Sequence, residues 1–376
     1  MTEITSGSYA PSRRVTRLRE LLPAFLVVAY FAASFIARIL RGGPLVSDEA
    51  EQVFLSHALQ IGYGDQPPLY NWLVYGFGQL FGVSLETLAF VKSGTLLLSC
   101  VFLAMAARAA TNSRDAMSIA ALGILSLPAV FLLSQRDLTH SVGAFAAVSL
   151  FLYTVFLLVK RPTALNYGLV GAAAGIGFLA KYNFAIIPVA MVAALLLEPG
   201  LRRLALNWRM AIALAVGVLI VGPHCYWIVT HFGDATGDTI SKMKTATTGP
   251  VPDAVKAAFS LILSIFKCAA LTLGLFALVY RSDLVAILTA SNQWTRLVGR
   301  TLAISLMLVL VVMVAVDGTM VRPKWISIFF LALPLYLALK VHAAGIERPR
   351  NVESLACLVG VIAFVFLAIV SVGAVV

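Results

Sequence analysis

The sequence predicts an all-α fold, a polytopic bundle of transmembrane helices, from three observations. The 376 residues are 60% hydrophobic and only 12% charged, with a mean hydropathy of +0.94, whereas soluble domains carry about 45–50% apolar and about 25% charged residues. Apolar runs able to cross a bilayer, which takes roughly 20 helical residues, recur along the whole chain. The basic residues gather in alternate connections between those runs, as membrane topology requires.

Taken in order, residues 1–20 form a basic tail carrying Arg13, Arg14, Arg17 and Arg19. The apolar run 21–40 is too long for a signal peptide and lacks a small-residue cleavage site, so it reads as a retained first span. Residues 41–87 form a long loop. Ten further spans are expected near 88–107, 116–134, 141–159, 165–180, 184–197, 209–229, 257–279, 301–316, 325–339 and 354–375, about eleven in all. The short pairs 165–180 with 184–197, and 301–316 with 325–339, read as tight hairpins or broken helices buried in protein. The transmembrane domain thus occupies 21–376, with no separate C-terminal soluble domain expected.

Placing the basic tail in the cytoplasm puts Arg108, Arg114, Lys160, Arg161, Arg202, Arg203, Arg209, Arg281, Arg296, Arg300, Lys340, Arg348 and Arg350 on the same side. With the four arginines of the tail, that side holds 17 of the 28 Lys and Arg residues, so the orientation obeys the positive-inside rule. Loops 41–87 and 230–256 then face outward. In a bacterial inner membrane this is the periplasm, where nucleotide sugars and ATP are absent. The net charge of +11 belongs to topology; no basic stripe with interleaved aromatics points to nucleic acid. Cys100, Cys225, Cys268 and Cys357 show no ligand spacing and read as small hydrophobes.

The first external loop carries the chemistry. Gly42-Gly43-Pro44 ends the first span, and a helix is expected to start at Ser47 or Asp48. Asp48 and Glu51 have capping-box spacing, and Phe54, Ala58 and Ile61 give this helix an apolar face along the membrane surface. Capping explains one carboxylate there. Two adjacent acids, Asp48 and Glu49, at a desolvating boundary suit a base that takes a proton from a hydroxyl. Pro67-Pro68 breaks the chain between two helical pieces, and Tyr63, Tyr70, Trp72 and Tyr75 form an interfacial aromatic set.

The Asp48-Glu49 pair followed by Asp65-Gln66-Pro67-Pro68-Leu69-Tyr70-Asn71-Trp72 resembles the dolichyl-phosphate-mannose-protein mannosyltransferase superfamily of GT-C glycosyltransferases. The nearer likeness is to its bacterial branch, whose aminoarabinose and galacturonic acid transferases modify lipopolysaccharide. Three weaker segments agree: the Gly-rich run from Gly171 to Lys181, Ser134-Gln135-Arg136-Asp137, and Val321-Arg322-Pro323-Lys324-Trp325.

The resemblance implies direct displacement of a sugar from a polyprenyl-phosphate donor to a glycolipid acceptor such as lipid A or lipopolysaccharide core. Asp48 would be the base, with Glu49 and Asp137 as further catalytic carboxylates. Arg136, Lys181, Arg322 and Lys324 would stabilise the leaving phosphate. Asp65, Gln66, Tyr70 and His140 would line the substrate site. It implies no cofactor and no metal; His57, His140, His224 and His231 have no convincing ligand spacing.

Other readings stay open. Arg322 and Lys324 equally suit snorkelling or lipid contact, and Arg136-Asp137 suits a local ion pair. Lys181, after a long apolar run, points to a cavity, while Gly171, Gly175 and Gly177 point to close helix packing. The stretch 231–256, with Lys242 and Lys244, reads as a flap or a plain connector. The rival function is a lipid-linked-sugar flippase or transporter, which commonly shows duplicated broken helices; no such duplication is visible in the sequence.

Overall fold

The computed structural model describes residues 13–42, 45–135, 139–233 and 251–372, with side chains from Leu21. Arg136, Asp137, Lys242 and Lys244 lie outside the described residues. Every regular element among the described residues is helical. They are α1 (Arg13–Arg41), α2 (Ser47–Leu55), α3 (Leu69–Phe81), α4 (Leu85–Thr111), α5 (Arg114–Leu125), α6 (Pro128–Phe131), α7 (His140–Lys160), α8 (Ala164–Ala180), α9 (Ile186–Leu197), α10 (Arg202–Ala205) and α11 (Met210–Thr230). Then come α12 (Asp253–Val279), α13 (Leu284–Thr289), α14 (Gln293–Ala315), α15 (Pro323–Ile326), α16 (Ala332–Ala343) and α17 (Pro349–Ser371).

Seven helices, α1, α4, α7, α11, α12, α14 and α17, are long and apolar enough to cross a membrane. Shorter apolar helices occupy 164–180, 182–197 and 329–343. Of the expected short spans, 301–316 is corrected. Its helix starts at Gln293 and runs 23 residues, because Asn292 caps it by accepting the Thr295 N–H at 2.9 Å. A break arises instead where none was expected: Arg114–Leu125 and Pro128–Gln135 are bent by 57°. Pro128 cannot donate to the helical ladder, and Ser126 turns its hydroxyl back onto the Gly123 carbonyl.

The bundle is organised around α7, which is buried along 72% of its most apolar stretch. It packs against α4 and α8, while α1 lies against α4 and α17. α8 meets α11 closely: a Cβ on Gly171 would lie 2.1 Å from the Ala213 carbonyl oxygen. The close-packing reading of the glycines is therefore right at this position. Gly171→Val is expected to lower stability by about 1–3 kcal/mol by overpacking, read as a fall in melting temperature in detergent.

At the basic face, Glu198 accepts from Arg296 at 2.6 and 2.9 Å and from Arg300 at 3.0 Å, tying the end of α9 to the start of α14. Arg209, Lys340 and Arg348 likewise join segments there, donating to the Pro162 carbonyl, the Leu288 carbonyl and Asp283.

That loop departs from expectation in three ways. α2 spans only Ser47–Leu55 and does not continue to Ile61. His57 Nδ1 approaches the Val53 carbonyl at 2.7 Å, and the Tyr63 hydroxyl then closes a turn by donating to the Ala58 carbonyl. The helix starts after Val46, so the residue in the third position is Glu49; its carboxylate accepts the Val46 N–H at 3.3 Å. The Asp48–Glu51 capping spacing is therefore not used. Tyr70 is 1% exposed and belongs to the core rather than to an interfacial belt.

Candidate active site

α2 is held to the end of α1 by a buried ion pair. Arg38 donates through Nε to Glu49 Oε1 at 3.1 Å and through Nη2 to Oε2 at 2.6 Å, and through Nη1 to the Gly42 carbonyl at 2.9 Å. The two side chains are 10% and 7% exposed. Burial alone would raise the Glu49 pKa, but the Arg38 hydrogen bonds, the Lys92 charge and the Val46 N–H outweigh it. Glu49 is held below the usual carboxylate range and is a poor proton acceptor. Asp48, beside it in the first turn of α2, is only partly buried. Burial pushes the Tyr70 phenol up, and the Glu49 and Asp48 charges add to this, which places both acids near the Tyr70 ring.

A second set of polar contacts joins α2, α3 and α7. Gln52 and Asn71 are fully buried. Asn71 Nδ2 donates to Gln52 Oε1 at 3.1 Å, and Gln52 Nε2 lies 3.2 Å from His140 Nε2. The Tyr70 and His140 rings pack with centroids 5.9 Å apart. Buried amides linked this way fix the register of two short helices on a long one. The expected Pro67-Pro68 break serves it, because α3 begins directly after the prolines and turns Tyr70 and Asn71 inward.

The cationic half of the site meets the same point. Lys181 follows the last residue of α8, and its Nζ donates to Ser141 Oγ at 2.7 Å and to the Lys324 carbonyl at 3.2 Å. Asn183 donates to the Trp325 carbonyl at 2.6 Å, which fastens α15 over this end of the bundle. Arg322 lies over the Trp325 ring at 5.6 Å, while the Lys324 side chain is exposed. Burial and the neighbouring Lys324 lower the Lys181 pKa to about 7. Its charge is therefore lost as pH rises through that value. Any activity that uses this charge is expected to fall from pH 6 to pH 8, and Lys181→Arg to remove that limb of the pH–rate profile.

The first turn of α7 is the junction: His140 faces the Gln52–Asn71 pair and Ser141 holds Lys181. Asp65, partly buried in the turn before Gln66, acts electrostatically on both His140 and Tyr182, so it borders the same region. Gln66 is partly exposed. On the far side, the Tyr182 hydroxyl is 3.1 Å from His224 Nε2, and His224 Nδ1 is 2.6 Å from the Ile61 carbonyl. Gly62 sits against Trp227, where a Cβ would lie 2.0 Å from the indole.

The structure thus brings Asp48, Glu49, Asp65, Tyr70, His140 and Lys181 to one end of the bundle. Arg38, Gln52, Asn71, Ser141 and Asn183 were not singled out from sequence. Arg38 carried a signal, an ionisable residue inside an apolar run; single buried amides and hydroxyls carry none.

With this geometry in place, relationships to known proteins are informative. Residues 65–227 match the dolichyl-phosphate-mannose-protein mannosyltransferase family. The chain belongs to the GT-C superfamily of membrane glycosyltransferases, in the branch of the lipopolysaccharide core galacturonosyltransferases. It is 37% identical over 324 residues to the lipopolysaccharide core galacturonosyltransferase RgtA of Rhizobium johnstonii, an alignment covering 86% of this chain and 65% of that protein. It is 36% identical over 338 residues to RgtB of the same organism, covering 90% and 68%. The chain therefore spans about two thirds of the length of these relatives.

The fold is that of ArnT from Cupriavidus metallidurans. The apo structure matches with a TM-score of 0.62 at 16% identity, over 88% of this chain and 60% of that one. The undecaprenyl phosphate-bound structure matches at 0.60 and 16%, over 85% and 59%.

Proposed function

We propose that this chain transfers a sugar, galacturonate by analogy with its relatives, from a polyprenyl-phosphate donor to a lipopolysaccharide-core glycolipid at the periplasmic face of the inner membrane. The observation that carries the reading is the junction at the first turn of α7, where the carboxylate-bearing α2 and the lysine-bearing end of α8 are tied to adjacent residues, His140 and Ser141.

Asp48 takes the proton from the acceptor hydroxyl, whose oxygen attacks the anomeric carbon. The bond from that carbon to the phosphate oxygen breaks, and the lipid phosphate leaves with the electron pair. Lys181, aided by Arg322 and Lys324, offsets the charge that builds on the phosphate. Glu49 positions rather than reacts: paired with Arg38, it fixes the turn that presents Asp48. Backside attack inverts the anomeric centre. No metal is invoked.

The test incubates purified protein with synthetic polyprenyl-phosphate galacturonate and a core acceptor and reads the product by NMR. A new glycoside of inverted anomeric configuration is expected. Retention of configuration would overturn the displacement mechanism, and transfer from no polyprenyl-phosphate sugar would overturn the activity.

A further inference from the structure

α12 carries a charge where an apolar span has least use for one. Lys267 sits at the middle of this helix, is exposed, and has no hydrogen bond or ion pair among the described residues. The large side chains exposed around it are apolar: Phe259, Ile262, Leu263 and Phe266 on the outward side, Leu273 and Leu278 on the inward side. An ammonium group on such a surface is expensive and marks a site where an anion is met. Snorkelling to the head groups is the alternative. The exposed apolar surface, however, continues outward to Phe259, roughly 12 Å farther along the helix, beyond the reach of a lysine stem.

The depth of Lys267 is fixed by its neighbours. Ser260 and Ser264 donate to the Val321 carbonyl at 3.2 and 2.7 Å, and Cys268 Sγ lies 3.6 Å from the Pro323 carbonyl. One face of α12 is thus fastened to the segment that runs from Val321 to Lys324. Lys267 follows Ser264 by three residues and so occupies the exposed flank of that seam. The same segment presents Arg322 and Lys324 and gives Lys181 its carbonyl partner. Lys267 therefore stands level with the cationic half of the active site, on a surface that faces lipid.

The depth selects among anions. An ordinary phospholipid keeps its phosphate in the head-group region, outside the hydrocarbon core. A polyprenyl-phosphate donor has to bring its phosphate down to the level of Lys181 while its chain stays in lipid. A cation on the lipid-facing flank at that level offsets the phosphate charge before the active site takes it over.

We infer that Lys267 is a docking point for the phosphate of a polyprenyl-phosphate donor, holding it at the lipid-facing edge of α12 beside the Val321–Lys324 segment. The inference rests on the reading that the donor is a polyprenyl phosphate, and extends it to the route by which that donor enters.

The test titrates purified protein in nanodiscs of phosphatidylcholine and phosphatidylglycerol with sugar-free polyprenyl phosphate and reads binding by native mass spectrometry, so that no transfer is needed. Lys267→Met is expected to bind the carrier about tenfold more weakly than wild type, the loss of one charge-assisted contact, while Lys267→Arg retains binding. Melting temperatures should match, because the side chain is exposed. A benzophenone side chain in place of Leu263, one turn outward, is expected to crosslink the carrier and to lose that product when Lys267→Met is added. Equal binding by wild type and Lys267→Met, or a crosslink that persists in the variant, overturns the inference and leaves the transfer reaction standing. No binding by wild type overturns the donor assignment and the inference with it. Loss of carrier binding when phosphatidylglycerol is raised to an equal concentration would make Lys267 a general phospholipid contact and overturn the donor route.

Discussion

Asp48→Asn is expected to lower the transfer rate by about 10²–10⁴-fold, the range for loss of a positioned general base, with little change in the Michaelis constant for the donor. Asn keeps the size of Asp and one acceptor oxygen but cannot take the acceptor proton. It sits in the first turn of α2, where losing a negative charge costs about 0.3–1 kcal/mol against the helix dipole, so the variant should fold. The measurement is the initial rate with saturating acceptor, alongside a melting curve. A loss of less than threefold would remove Asp48 from the chemistry even though the family assignment stands.

The second large effect belongs to Arg38. Arg38→Met leaves the Glu49 carboxylate buried without its partner, and breaking a buried pair from one side costs about 3–5 kcal/mol. Glu49→Gln should cost less, because Arg38 retains the Gly42 carbonyl. The Arg38→Met, Glu49→Gln double variant should recover part of the loss, giving a coupling readable as a double-mutant cycle on melting temperature. All three should be slow enzymes, since each loosens the turn that presents Asp48. Additive effects would mean that the pair contributes nothing beyond its separate residues.

These two predictions show which features the sequence made legible. Asp48-Glu49 and the Pro67-Pro68 segment stand out because adjacent acids and paired prolines at a membrane boundary have few ordinary explanations. Lys181 stands out because a cation after a long apolar run must meet polar partners, and it does, in Ser141 and the Lys324 carbonyl. The seven helices long enough to cross a membrane are legible because hydropathy is a strong local signal.

What the sequence hid is pairwise. Nothing local to Gln52, Asn71 or His140 says that three segments converge on them. Likewise nothing in α2 marks Glu49 as the partner of a residue eleven positions earlier. The same reason explains the misread cap. Asp48 and Glu51 have the right spacing, but the Arg38 ion pair fixes Glu49 as the residue that turns back to the Val46 N–H. The bend of 57° after α5 was missed because Leu127-Pro128 lies in an otherwise continuous apolar run, whose hydropathy is blind to direction.

The central claim is that this bundle is an enzyme acting on a lipid-linked sugar and not a carrier that moves one. The most direct measurement reconstitutes wild-type protein into vesicles with fluorescent polyprenyl-phosphate galacturonate confined to one leaflet, with and without a core acceptor, and follows glycoside formation and transbilayer movement together. The account predicts glycoside formed in proportion to donor consumed, only when acceptor is present, with no acceptor-independent movement of the donor. Donor crossing the bilayer without glycoside formation would contradict it and establish the flippase reading in its place.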